Sequence, residues 1–308
     1  MSNTRILIIV IACVGFIVAG LMLFKSVAEY KQAEDEYSNL TMYVKHGASD
    51  AKSDAAENVG AAEVTLETET KNAADNTKSE DAADVASLVK ADKDKKENTP
   101  KVEPKKELKR NLNRDDFPDI EVDFDELKKI NPSCVAWLYV EGAQINYPVV
   151  QGEDNEFYLH HTFEMKKNSA GCVFMDWEVD PELTSWNTFF YGHNMKNGTM
   201  FGHLKNFINN PANYKKYPYI YVFRPEGIYR YEIFSYYLDQ TDSKMYYTCD
   251  TFDEYRAYLR EATKLSSKEC KAKAKADDNI VTLVTCSGSG AYKRRFFVHG
   301  VFVDRYLY

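Results

Sequence analysis

Between Tyr43 and Phe117 the chain has no aromatic residue, although aromatics make up 14% of its 308 residues. Ala, Asp, Glu, Lys, Ser, Thr and Asn fill the gap. Such a stretch cannot bury enough apolar surface to offset the entropy of ordering, which excludes a packed domain there and predicts a disordered or transiently helical spacer. Charge is missing elsewhere. Ile6 to Phe24 are nineteen consecutive uncharged residues, near the ~20 that a helix needs to cross a bilayer. The run is longer than a signal-peptide core and no clear small-x-small cleavage site follows it, so an uncleaved anchor is expected rather than a removed leader. It carries no amphipathic stripe, which argues against a buried core helix. The six cysteines form no CxxC pair, and no His/Cys cluster has zinc-ligand spacing. No metal or other cofactor is expected. A net charge of −8 offers no footing for nucleic acid. No internal repeat is present.

What is there divides into unequal parts. Residues 1–5 form a short N-terminus, 6–24 the membrane anchor, 25–116 a spacer outside the membrane, and 117–308 a folded domain. The low-complexity composition is concentrated from Lys45 to Asp116. Only Arg5 and the α-amino group precede the apolar run, whereas Lys25, Glu29, Lys31, Glu34, Asp35 and Glu36 follow it. The positive-inside rule then places the N-terminus in the cytoplasm and the domain outside the cell. "NTPKVEPKKELKR" reads as a solvated tether in preference to a wall- or lipid-contacting arm.

The aromatic-rich region from Phe117 is long enough for one real core. Strand-like runs recur at 135–140, 144–150, 171–176, 187–193, 219–224, 228–238, 280–286 and 295–303, with "RPEG" (224–227) as a tight hairpin turn. Eight strands at this density predict a mainly β fold, a closed barrel or sandwich rather than a βαβ sheet. Three helices interrupt them. Asp123 is a candidate N-cap for "FDELKKI". "MFGHLKNFI" places Phe201, Leu204, Phe207 and Ile208 on one face. Thr251 and Glu254 form a capping box ahead of a stripe of Phe252, Tyr255, Leu259 and Ala262.

The stretch "TLVTCSGSGAYKRRFFVHG" (282–300) carries the chemistry. A strand ends on Cys286, a loop of small residues lets a substrate backbone approach, and Arg294 and Arg295 open the next apolar run. If the two strands are antiparallel neighbours, Arg295 sits across a ~4.8 Å gap from Cys286. A guanidinium there favours the thiolate and can donate to an oxyanion on an attacked carbonyl. Cys134, Cys172, Cys249 and Cys270 read instead as small buried hydrophobes. A thiol nucleophile usually has an imidazole partner. Among His160, His161, His193, His203 and His299, His193 stands out, because its strand breaks at Gly192 and presents the ring at an edge.

"TLVTC", the "RFFVHG" run that follows it, and the upstream "NTFFYGHNM" together resemble the sortase family, class B in particular. "INYPVVQGEDNEFYLHHTFEMKKNSAGCVFMD" is similar to the class B stretch ahead of the histidine. The resemblance covers the folded region and implies an eight-stranded sortase-type β-barrel, with an N-terminal helix and a long helix before the Cys strand. It implies Cys286 as nucleophile, His193 as general acid/base and Arg295 as oxyanion or substrate-carbonyl donor. Asn155, Leu159, Tyr191, Tyr246 and Thr285 become candidates for the wall of a sorting-signal groove. Val284 stands where class B members often have serine, and Ser287, Gly288 and Ser289 offer no acidic residue after the cysteine. The implied function is a membrane-anchored cysteine transpeptidase. It would cleave a C-terminal sorting signal of surface proteins after Thr and pass the acyl group to an amine of a peptidoglycan precursor or a pilin. Two alternatives are a cell-wall cysteine hydrolase, with water as acceptor, and a non-catalytic adhesin with an unreactive Cys286.

Overall fold

The computed structural model describes residues 3–46, 109–246, 248–287 and 294–308. Eight strands close into a barrel: β3 (Cys134–Val140), β4 (Ile145–Val150), β5 (Val173–Met175), β6 (Asn187–Tyr191), β7 (Tyr219–Arg224), β8 (Gly227–Gln240), β9 (Ile280–Ser287) and β10 (Arg294–Leu307). Around the barrel the order is β10-β8-β7-β3-β4-β5-β6-β9. The β4–β5 and β6–β9 pairs are parallel and the rest antiparallel. The eight expected strands are all present. Arg224 pairs with Gly227, so Pro225 and Glu226 alone make the expected hairpin. Glycine is required at 227, because a Cβ there would lie 2.1 Å from the Tyr306 carbonyl oxygen.

Alternation along the Cys strand gives way to burial on both faces: residues 280 to 285 are all buried. One face looks into the barrel and a helix covers the other. The helix lies over Phe252–Leu265 and begins with the expected capping box, Thr251 and Glu254 each bonding the other's backbone. Its Tyr255, Tyr258, Leu259 and Ala262 are buried, while Phe252 stays partly exposed. Tyr258 meets Phe189 and His299 edge-on, and Tyr255 stacks on Trp186. Asp123 caps the helix Phe124–Ile130 as expected. The stripe of Phe201, Leu204 and Phe207 is buried, but only Asn206–Asn209 is α-helical. The preceding turns exist because Phe201 N–H is committed to the His193 carbonyl.

The N-terminal region departs from expectation. A single helix, α1 (Asn3–Leu40), runs through the apolar stretch and continues past it. Its Ala33, Tyr37 and Leu40 are buried against the domain, and β1 (Val44–His46) pairs antiparallel with β2 (Ile120–Val122). The other flank is docked as well. Arg110 bridges Arg305, Asn111 N–H donates to the Arg305 carbonyl, and Arg230 clamps Asp304 with both arms while lying over the buried Phe117 ring. Residues 25–46 and 109–116, assigned by composition to a spacer, therefore belong to the folded body. The reason is that a helix needs only one apolar stripe to dock, here Ala33, Tyr37 and Leu40, and such a stripe is diluted in a mean over many polar residues. The low-complexity reading of 47–108 lies outside the described residues, but both flanks of that segment are anchored on the domain.

His299 gives the fold a pH dependence. It is fully buried, with Nδ1 2.9 Å from the Thr282 hydroxyl and Nε2 3.0 Å from the Tyr237 hydroxyl. Burial holds the ring neutral and pushes its pKa down to about 3. An unfolded histidine, with a pKa of ~6.5, binds a proton through the interval where the folded one does not. Stability is therefore retained above that value and lost as pH falls through it, at roughly 1.4 kcal/mol per unit. Denaturant titrations at pH 7.5 and pH 5.0 should differ by about 2 kcal/mol from this group, and His299→Gln should flatten the dependence. An unchanged slope would remove His299 as its source.

Candidate active site

Strand register assembles the site. In the antiparallel β9–β10 pair Cys286 lies opposite Arg295, and Ser287 opposite Arg294. In the parallel β6–β9 pair Tyr191 lies opposite Val284, and Gly192 N–H still reaches the Val284 carbonyl at 3.3 Å. The ladder ends there, and His193 follows two residues later, beside the Cys286 end of β9. Positions 286 and 295 thus share one cross-strand row, at a strand spacing of about 4.8 Å, and position 193 lies just past the end of the neighbouring strand. Arg295 is 1% exposed, whereas Arg294 is exposed. The enclosed cation is the one in register with the cysteine. On its far side position 295 is the cross-strand partner of Asp239 of β8, whose carboxylate accepts from the Ser243 hydroxyl and Gln240 N–H.

His193 is buried rather than presented at an open edge, at 4% exposure. The loop 158–172 covers it. The ring Nε2 sits 2.9 Å from the Leu159 carbonyl oxygen. A carbonyl only accepts, so Nε2 carries a proton and, in the neutral ring, Nδ1 does not. Gly171 closes the other side. It has φ +58, and a Cβ there would come within 2.6 Å of the Tyr158 oxygen, 2.8 Å of the Leu159 oxygen and 3.1 Å of His193 Cδ2. Only glycine permits that approach in the left-handed region.

The expected groove residues divide in two. Asn155 and Tyr191 are brought together at Asp176. Asn155 Nδ2 and the Tyr191 hydroxyl both donate to Asp176 Oδ2 at 3.0 Å, and Asn155 Oδ1 accepts from Trp177 N–H. Burial raises the Asp176 carboxyl pKa. Leu159 is buried and meets His193 through its backbone. Tyr246 packs on Phe297, two residues from Arg295, at 5.2 Å between ring centroids. Thr285 is buried, and its Oγ1 has no hydrogen-bond partner among the described residues. The thiols of Cys134, Cys172, Cys249 and Cys270 are free, and burial raises all four pKa values, Cys134 and Cys249 to about 12. That leaves them poor nucleophiles. His161 stacks on Phe157 and bonds its carbonyl, away from the row. Among the described residues no group of three or more His, Cys, Asp and Glu is arranged to hold a metal ion.

The sortase domain family model matches residues 138–303. The chain belongs to the sortase family. Within it the similarity is to class B. Sortase B of Listeria monocytogenes is 31% identical over 184 residues, covering 58% of this chain and 74% of that protein. The crystal structure of Clostridium perfringens sortase B superposes with a TM-score of 0.55 at 34% identity, over 59% of this chain and 100% of that one. A Staphylococcus aureus sortase B–substrate complex does so with a TM-score of 0.55 at 30% identity, over 59% and 84%. The chain is a class B sortase, a family of cysteine transpeptidases built on this barrel.

Sequence reasoning missed two parts of the sortase site. The Leu159 carbonyl is a backbone atom and leaves no trace in residue identity. Gly171, in "SAGCVF", carried the only available signal: a glycine three residues after Asn168, whose carbonyl accepts from the Gly171 N–H. Gly171→Ala should lower stability by about 2–3 kcal/mol, from a left-handed alanine driven onto two carbonyls, and should shift the His193 imidazole NMR signals. An alanine variant with parent stability and parent imidazole signals would show that the close approach is not needed.

Proposed function

We propose that this sortase is a membrane-anchored transpeptidase acting outside the cell, with Cys286 as nucleophile, His193 as acid/base and Arg295 as oxyanion donor. The register of Cys286 with Arg295, with His193 just past the end of the neighbouring strand, carries the reading. The Cys286 thiolate attacks the Thr carbonyl carbon of a C-terminal sorting signal, and the carbonyl electrons move to oxygen, where the Arg295 guanidinium stabilises them. The intermediate collapses as the C–N bond breaks, and His193 delivers a proton from Nδ1 to the leaving amine. A thioester remains. An acceptor amine, from a peptidoglycan precursor or a pilin, attacks it, gives its proton to His193 and releases the thiolate. Nε2 keeps its proton on the Leu159 carbonyl throughout, so the ring need not rotate between the two half-reactions.

Leu159, Tyr246 and Thr285 are proposed to line the sorting-signal groove, the buried Thr285 hydroxyl offering a hydrogen bond to peptide. Asn155 and Tyr191 support its wall by fixing Asp176. The anchor reading rests on the exposed apolar surface of α1. Phe16, Ile17, Leu21, Met22, Leu23 and Phe24 are 62% exposed or more, and the helix contains a window of mean hydropathy 2.2. Water does not tolerate such a cylinder; a bilayer does.

Peptide-library cleavage by the full chain, with mass spectrometry of the trapped acyl-enzyme, tests the assignment. Cys286→Ala and Arg295→Ala should abolish trapping, whereas Arg294→Ala should retain it within about threefold, as expected of an exposed side chain off the row. Continued cleavage by Cys286→Ala would end the nucleophile assignment. Adding an oligoglycine or diaminopimelate amine should divert product from acid to amide; a product that stays acid at every amine concentration would make the enzyme a hydrolase.

A further inference from the structure

Past the apolar run, α1 lands on the loop that covers His193. The Tyr37 hydroxyl donates to the Gly171 carbonyl at 2.7 Å and accepts from Phe163 N–H at 3.2 Å. The neighbouring Glu36 carboxylate accepts from the Thr162 hydroxyl and from Glu164 N–H, both at 2.9 Å. One turn or more earlier, the Glu29 carbonyl accepts from Asn168 Nδ2 and its carboxylate from the Ser169 hydroxyl. Every one of these partners lies in loop 158–172. The loop's neck is closed by Cys172 N–H on the Tyr158 carbonyl and Asn168 N–H on the His160 carbonyl. Leu159 and Gly171, the two residues against the His193 ring, sit at that neck.

Tyr37 reaches the other side of His193 as well. Its ring meets Tyr147 edge-on at 5.4 Å, and the Tyr147 hydroxyl accepts from Met200 N–H. Met200 precedes Phe201, whose N–H holds the His193 carbonyl at 2.9 Å. One buried tyrosine from the N-terminal helix is therefore joined to both backbone segments that hold the imidazole, to one by two hydrogen bonds and to the other by a ring contact with Tyr147.

We propose that Tyr37 is a positioning residue for His193, and that the docked stretch Glu29–Leu40 of the anchor helix sets the geometry of the site. This rests on the reading of His193 as the proton-transfer group. Tyr37 touches no reacting atom. It acts by fixing the Gly171 carbonyl and the loop neck, which hold the Leu159 oxygen on Nε2 and so fix the orientation of the His193 ring. Losing the hydroxyl lets the neck relax, and small displacements of an acid/base group are costly in rate.

The test uses full-length protein in detergent micelles with histidine-labelled rings. Tyr37→Phe keeps the packed ring and removes only the hydroxyl. It should lower kcat for sorting-peptide cleavage by about tenfold, leave KM within about twofold, displace the pH–rate profile and shift the His193 Nε2–H signal. Glu36→Gln should do the same more weakly. Asp35→Asn, on the exposed face of the same helix, should do neither. Parent kcat together with an unshifted His193 signal in Tyr37→Phe would overturn the proposal. A shift confined to thermal stability, with kcat and the His193 signal unchanged, would overturn it equally. If the parent protein forms no thioester while Tyr37→Phe still moves the His193 signal, the transpeptidase reading falls and the positioning role stands.

Discussion

Strand register is the constraint from which the site follows. An antiparallel pairing of β9 with β10 sets residue 286 opposite 295, and a parallel pairing of β6 with β9 brings residue 193 to the same end of the barrel, although a hundred residues separate the first from the last. A slip of one residue in either ladder would turn a side chain to the opposite face. Burial on both sides of β9 resists that slip, because the barrel interior and the helix Phe252–Leu265 each demand a specific set of apolar positions. The same burial keeps Arg295 out of contact with solvent.

The histidine depends on a different set of contacts. A carbonyl at Leu159 and a left-handed glycine at 171 define its orientation, and both belong to a loop rather than to the barrel. Loops move unless something ties them down. Here the tie is the N-terminal helix, which enters from the apolar run and ends against the loop neck through Glu29, Glu36 and Tyr37. Thirteen residues of helix separate Phe24 from Tyr37, a span of roughly 20 Å. The distance between the end of the apolar run and the imidazole is thus set by rigid secondary structure. The low-complexity segment lies between β1 and β2 in the chain, both held on the domain, and is not the link from the apolar run to the barrel.

Most of the barrel could be read from residue pattern. The eight strands, the hairpin at 224–227, the capping box at Thr251 and the Asp123 cap are local signals, set by neighbours in sequence. The Cys286–Arg295 pairing was legible because a short loop between two apolar runs leaves few registers open. The docked half of α1 was not, because Ala33, Tyr37 and Leu40 form a sparse stripe in a charged helix whose partner loop lies more than a hundred residues away. Asn155 and Tyr191 carried a family signal, but their common attachment to Asp176 emerges only once β5 and β6 are side by side.

By itself the sequence determined which groups are available: one apolar run able to cross a membrane, one cysteine between a β-branched strand and an arginine, and one histidine after a strand-breaking glycine. Those are properties of composition and short-range order. Only the tertiary structure decided that Arg295 is enclosed while Arg294 is exposed, which imidazole nitrogen is held by a carbonyl, and which residues outside the barrel hold the His193 loop in place. Each of those depends on contacts between segments far apart in the chain, and the energy of such contacts exists only when the chain is closed on itself.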